Sequence, residues 1–254
     1  MLSGFALGRH RHGALRVDEA YVFEEVWGPC EGVCTELGAP IRKDLARTEQ
    51  FKILADSVGR SQTVVLRAAS DNQFAHMIAR TLKAKWVNSL VIAERKLTRK
   101  AGVSIPAEYR LRMFENRDEF HISRIHKQAF KETISIEDYR AWATAANCRT
   151  IIATYDRKPV GFIIAEKRSY ASLGDFTIAV KPTHQNKGVG YALLQTALNI
   201  FIDIGVSRVV ADYLMLNASA HNLYRKLGFK PKRTYDFFVL KKRKPKTDSE
   251  KLNR

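Results

Sequence analysis

The chain has 254 residues, 45% of them hydrophobic, and carries 43 Lys/Arg against 26 Asp/Glu for a formal net charge of +17. That length buries a full core as one large domain or two small ones. The composition excludes a low-complexity chain, three cysteines (Cys30, Cys34 and Cys148) exclude a disulfide-built scaffold, and no apolar run is as long as a membrane span.

The opening Met1–Gly8 has neither the basic flank nor the apolar length of a secretory leader, so a cytoplasmic setting is expected. The excess positive charge favours polyanionic partners, whether nucleic acid, anionic lipid or phosphorylated small molecules. Residue patterning predicts helices near 43–57, 72–83, 119–130, 136–146, 188–204 and 218–227. Strands are predicted near 62–67, 87–94, 109–114, 150–155, 159–166, 175–180, 206–212 and 236–240. The fold class is therefore α/β, with a mixed sheet. Segment 97–107, with Lys100, Gly102 and Pro106, reads as a linker between a first lobe over 1–100 and a second over 108–240. The end, 241–254, is basic, lacks an apolar period and is expected to be disordered.

The two lobes share a stretch. At an offset of 145 residues, Val64, Val65, Asn72, Ala75, His76, Arg80 and Leu82 fall on Val209, Val210, Asn217, Ala220, His221, Arg225 and Leu227. Either two strand–helix units share composition, or the first lobe is a degenerate copy of the second. As a copy it would be inactive, because it has no Gly turn and Ala79 stands opposite Tyr224.

In the second lobe, the strand Phe176–Val180 runs into Gln185-Asn186-Lys187-Gly188-Val189-Gly190 and then into an apolar helical pattern. Strand, glycine turn and helix start leave backbone N–H groups without intrahelical partners, at the positive end of a helix dipole. Such a turn suits a phosphate or pyrophosphate. Some thirty residues on comes Asn217-Ala218-Ser219-Ala220-His221-Asn222-Leu223-Tyr224-Arg225-Lys226-Leu227-Gly228-Phe229, with Asn217 as helix cap and Gly228 past the helix end.

The two motifs, Q-x-x-G-x-G after a strand and N-x-x-A-x-x-L-Y-x-K-L-G-F, resemble the GCN5-related N-acetyltransferase (GNAT) superfamily over residues 108–240. The resemblance implies an acyl-CoA acyltransferase fold preceded by a partly similar, degenerate α/β lobe. It also implies acetyl-CoA as cosubstrate and transfer to a primary amine in a ternary complex. By the same resemblance, the pyrophosphate falls to Gln185 and the amides of Lys187, Gly188, Val189 and Gly190. The pantetheine arm falls to the backbone of Ile178 and Val180 where two strands splay, and a further coenzyme contact to Asn217. Tyr224 matches the residue that protonates the departing thiolate, for which a phenol has suitable basicity.

The general base is not legible. Glu166, Asp175, Asp212 and His184 are candidates, with Asp175 placed first because it opens the strand leading to the turn. No metal site is expected: His10, His12, Cys30 and Cys34 do not have zinc spacing. A weaker resemblance, in the two-lobe arrangement and Ile105-Pro106-x-x-Tyr109-Arg110, is to the dTDP-fucosamine acetyltransferase type. It implies a nucleotide-linked amino sugar as the small-molecule amine. The alternatives are a protein or peptide amine, or a non-catalytic acetyl-CoA-binding module whose basic tail meets nucleic acid. A homodimer is compatible with all three.

Overall fold

A computed structural model describes residues 12–17, 20–24, 33–36, 63–81, 83–130, 135–168 and 172–241. In chain order the elements are β1 (His12–Val17), β2 (Ala20–Glu24), β3 (Val33–Glu36), β4 (Thr63–Ala69), α1 (Gln73–Thr81), β5 (Lys85–Lys96) and β6 (Tyr109–Met113). There follow α2 (Glu119–Phe130), α3 (Ile136–Ala143), β7 (Cys148–Tyr155), β8 (Lys158–Lys167), β9 (Leu173–Val180), α4 (Val189–Asp203), β10 (Arg208–Leu214), α5 (Ala218–Lys226) and β11 (Lys230–Lys241). The helix expected at 43–57, the residues His10 and Cys30, the side chains of His12 and Cys34, and the tail beyond 241 lie outside what is described.

The chain forms two compact units. One runs over Val91–Lys232; the other joins the described part of Gly8–Leu90 to the part of β11 from Arg233 on. The division thus falls inside β5 and β11, not in the expected linker at 97–107. Segment 97–107 has no regular element, yet it is fastened to the first of these units. Leu97 N donates to Ser207 O (2.8 Å), Ala101 exchanges hydrogen bonds with the Asn199 side chain (3.1 and 2.8 Å), and Lys100 pairs with Asp203.

In the Val91–Lys232 unit the strand order is β5-β10-β9-β8-β7-β6. Strands β6 to β9 pair antiparallel, and β9 with β10 parallel. The run Val160–Ala165 of β8 is buried throughout, as expected for a central strand covered on both faces. On one face α4 and α5 pack Leu193, Ala197, Phe201 and Tyr224 against Ile163, Val209 and Ala211. On the other, Ile122 and Ile125 of α2 and Tyr139 of α3 meet Phe162, Ile164 and Ala179. Two bidentate pairs fix α2: Arg112 on Asp118 (2.6 and 2.7 Å) and Arg140 of α3 on Glu119 (2.6 Å twice).

The second unit orders its strands β1-β2-β3-β4-β11, with β11 antiparallel to β4 from Tyr235↔Ala69 to Lys241↔Thr63. The shared stretch of the sequence appears as β4–α1 here and β10–α5 in the other unit. Each helix has an asparagine cap: Asn72 Oδ1 accepts from Ala75 N and Asn217 Oδ1 from Ala220 N, both at 3.1 Å.

At Gly174 the sheet and α4 are closest. A Cβ there would lie 2.8 Å from Phe201 Cε1, inside van der Waals contact with a ring that is fully buried. Gly174→Val should cost about 1–3 kcal/mol by overpacking. Urea denaturation should show a lower midpoint; an unchanged midpoint would refute the close packing.

Candidate active site

Strands β9 and β10 pair only at Leu173↔Arg208 and Gly174↔Val209, although β9 continues to Val180 and β10 to Leu214. Past Gly174 they part. Side-chain parity sets what faces the opening. Gly174 and Phe176 look toward α4 and α5, since Gly174 meets Phe201 and the Phe176 ring meets Tyr224 and Phe229 at 5.7 and 6.1 Å. Asp175 therefore looks the other way. Val209, Ala211 and Tyr213 belong to the α4–α5 core, which turns Asp212 to the same side as Asp175.

Tyr224 reaches the opening from α5. It is 7% exposed and held among Phe176, Tyr213 (5.3 Å) and Phe229 (5.6 Å). No hydrogen bond to its hydroxyl occurs among the described residues. Burial raises its pKa well above the ordinary phenol value, and the charges of Asp212 and Asp175 add to the shift.

The carboxylates divide by partner. Asp175 Oδ2 pairs with Arg168 Nη2 at 2.5 Å and its Oδ1 accepts from Phe176 N at 2.7 Å, so both oxygens are engaged. Glu166 shares the same arginine at 3.3 Å. Asp212 has no ion pair among the described residues. Burial first, and the neighbouring Asp175 second, push it up to about 7.

At the other end of β9 the sequence turns sharply. Asn186 and Gly188 are left-handed (φ 58° and 81°), and Gly188 caps α4 without a side-chain bond. The amides of Val189, Gly190 and Tyr191 thus have no capping acceptor. Gln185 Nε2 donates to Val180 O at 2.9 Å and closes the loop, so the Val180 carbonyl is taken and only its N–H is open to a ligand. A Cβ on Gly190 would meet Leu223 and Val180 only at ordinary contact (3.6 and 3.9 Å). The fold itself does not demand glycine at 190; the bare backbone leaves the helix start open from outside. An uncapped helix start with a left-handed glycine fits a pyrophosphate. Asn217, which caps α5, spends Oδ1 on Ala220 N and keeps its amide nitrogen for a ligand.

His184 is not part of the carboxylate group. Its Nδ1 lies 3.1 Å from the buried Tyr109 hydroxyl, and its ring lies 5.2 Å from that of Tyr155. Sequence reasoning missed Arg168 and the aromatic wall of Phe176, Tyr213 and Phe229. Among the described residues no group of three His, Cys, Asp or Glu could hold a metal, and no helix is long and apolar enough to cross a membrane.

Comparison with known proteins bears on this arrangement. Residues 114–229 match the Acetyltransferase (GNAT) family. Residues 114–229 are thus a GNAT acetyltransferase domain. Solved structures share the fold: a GCN5-related N-acetyltransferase from Sphaerobacter thermophilus has a TM-score of 0.61 at 16% identity, covering 76% of this chain and 64% of its own. One from Kribbella flavida has a TM-score of 0.60 at 14% identity, covering 94% and 91%. A tandem GNAT protein from the clavulanic acid biosynthesis pathway has 0.60 at 14%, covering 90% and 81%. The chain therefore spans less than two thirds of the Sphaerobacter protein's length. No curated protein matches it.

The raised Asp212 carboxyl is directly measurable. Carbon NMR of aspartate side chains should show one titration near pH 7, and Asp175→Asn should move it down because a neighbouring negative charge is gone. Absence of any aspartate titrating near pH 7, with the Asp212 signal moving below pH 5, would overturn this electrostatic picture. Folded Asp212 binds its proton more tightly than the unfolded chain does. Its contribution to stability is thus present at low pH and lost as pH rises through about 7.

Proposed function

We propose that the GNAT domain transfers acetyl from acetyl-CoA to a primary amine. The supporting observation is a buried, unpartnered phenol beside a carboxyl poised near neutrality, at the mouth where β9 and β10 part. Acetyl-CoA supplies an activated acyl carbon. The turn amides of Lys187, Gly188, Val189 and Gly190 would hold its pyrophosphate, with Gln185 keeping the turn closed. The unpaired β9 edge at Ile178 and Val180 would meet the pantetheine, and the Asn217 amide would reach the coenzyme.

The roles of the chain's own groups follow from their protonation. An amine is a nucleophile only when neutral. Asp212, with a carboxyl near 7, accepts a proton from the ammonium far more readily than Asp175, whose oxygens are bound to Arg168 and Phe176 N. We therefore assign the base to Asp212 and to Asp175 the anchoring of Arg168. As the amine nitrogen bonds to the acyl carbon, the C–S bond breaks and the thiolate takes the Tyr224 proton, and the proton that the nitrogen sheds in becoming an amide restores the phenol. A phenol whose pKa lies above that of a thiol stays protonated until then.

The acceptor we favour is a small amine such as a nucleotide-linked amino sugar, bound as its cation by the carboxylates facing α2 and α3. A protein or peptide amine is the alternative, for which no observed surface argues. The first lobe we read as a degenerate copy without transfer chemistry: Arg67 stands where Asp212 stands in the other unit, and Ala79 where Tyr224 stands. One coenzyme per chain follows from this.

Free thiol should appear when the chain meets acetyl-CoA and a panel of amines and amino sugars. Tyr224→Phe should lower kcat about 100-fold or more with an unchanged Kd for acetyl-CoA. Asp212→Asn should lower the rate and remove the rise of kcat/KM through pH 7. Unaltered turnover in Tyr224→Phe would remove the phenol from the mechanism, and thiol release with peptides but no amino sugar would refute the acceptor. Calorimetry should count one coenzyme per chain; two would refute the degenerate lobe.

A further inference from the structure

With no hydrogen bond to the Tyr224 hydroxyl among the described residues, the rings around Tyr224 set where its phenol points. Phe176 and Phe229 have only packing to hold them in place. Tyr213 is different. It comes from β10, is 6% exposed, and belongs to the same core as Tyr224. Its hydroxyl lies 3.1 Å from Nδ1 of His221, an exposed residue on the helix that carries Tyr224. His221 and Tyr224 are three residues apart on α5 and so are neighbours on one face. The Tyr213 ring meets both, at 5.7 and 5.3 Å, while its oxygen is tied at His221.

Packing alone asks for no hydroxyl here. Phenylalanine would fill nearly the same space, and a buried hydroxyl is unfavourable unless it is bonded. This one is bonded, and to an exposed residue that adds little to the core. The bond fixes where the Tyr213 ring sits, and with it the wall against which Tyr224 rests.

The other unit points the same way. At the offset of 145 residues that aligns β4–α1 with β10–α5, His76 falls on His221, Ala68 on Tyr213 and Ala79 on Tyr224. Both alanines are fully buried, and His76 lies instead 3.2 Å from Asp236. Where the phenol is absent, the tyrosine beside it is absent too, and the histidine has another partner.

We propose that Tyr213 and His221 are positioning residues that keep the Tyr224 phenol aimed at the opening between β9 and β10. The proposal rests on the reading of Tyr224 as proton donor above. A donor must meet the departing sulfur at hydrogen-bond distance, and a displacement of about 1 Å can cost about 100-fold in rate. Tyr213 and His221 touch neither acetyl-CoA nor the amine in this scheme, so they act on kcat and not on coenzyme binding.

Thiol release from acetyl-CoA with the amino sugars and peptides of the panel above, beside calorimetry with acetyl-CoA, tests it. Tyr213→Phe keeps the ring, removes the hydroxyl, and should lower kcat about tenfold with an unchanged Kd for acetyl-CoA. His221→Ala should do the same, and His221→Gln, whose amide can still meet the hydroxyl, should recover most of the loss. The deciding measurement is the double variant of Tyr213→Phe with Tyr224→Phe. If Tyr213 acts through the phenol, this double variant turns over no more slowly than Tyr224→Phe alone. Losses that multiply would show a general structural role and overturn the proposal. A normal kcat in Tyr213→Phe and His221→Ala, with Tyr224→Phe slowed, would overturn it too and leave the transfer reading standing. Full turnover in Tyr224→Phe, or no thiol release with any amine, would instead refute the reading on which the proposal rests.

Discussion

Two residue pairs join β9 to β10, and the separation that follows Gly174 governs the architecture around it. The strands can meet closely there because Gly174 has no side chain to lift them from Phe201. Beyond that point Phe176, Tyr213, Tyr224 and Phe229 fill the widening wedge from the α4–α5 side. Aromatic volume thus keeps the strands apart as firmly as the glycine brings them together. The backbone N–H and C=O groups along the parted edges need partners, and a dry gap would leave them orphaned. An extended amide-bearing chain such as the pantetheine proposed above would satisfy them. In that proposal the break in the sheet and the place for the ligand are one feature.

The same break sets the electrostatics. Arg168 is the cation shared by Asp175 and Glu166, and it meets both from the end of β8. Its charge is thereby shared between two carboxylates, and Asp212, across the gap, feels mostly the burial and the neighbouring Asp175. One carboxylate can anchor while the other exchanges protons, although both are aspartates on neighbouring strands. The difference lies in which carboxylate the arginine reaches.

Local patterning carried much of this into the sequence. Periods of two and 3.6 residues placed β4 to β10, the helices α1 to α5 and the second half of β11 to within a few residues, and the Gly turn and the Asn217–Phe229 motif are contiguous enough to read directly. Strands β1 to β3 escaped notice, being short and without clear alternation. The choice between Asp175 and Asp212 was beyond sequence because it depends on a pairing with Arg168 across a hairpin. Strand parity alone makes the two aspartates look alike. Pro106 and Gly102 mark a segment without regular structure, and its ties to Asn199, Ser207 and Asp203 were equally beyond sequence because those partners lie about a hundred residues on.

The paired β4–α1 and β10–α5 stretches show which sequence features report on fold and which on chemistry. Both helices begin with an asparagine whose Oδ1 meets the amide three residues on, at the same distance. A cap of this kind stabilises a helix start by about 1 kcal/mol whatever the unit does. Shared Asn72 and Asn217 therefore carry no weight for catalysis in either place. Differences are more telling. The Arg67 guanidinium lies 4.2 Å over the Tyr235 ring, and Asp236 meets Ser89 and, at 3.2 Å, His76. Ala79 is fully buried and leaves no phenol to offer a proton. In the other unit no hydrogen bond reaches the Tyr224 hydroxyl and no ion pair reaches Asp212 among the described residues. The phenol and the carboxyl therefore separate the two units, and the cap they share does not.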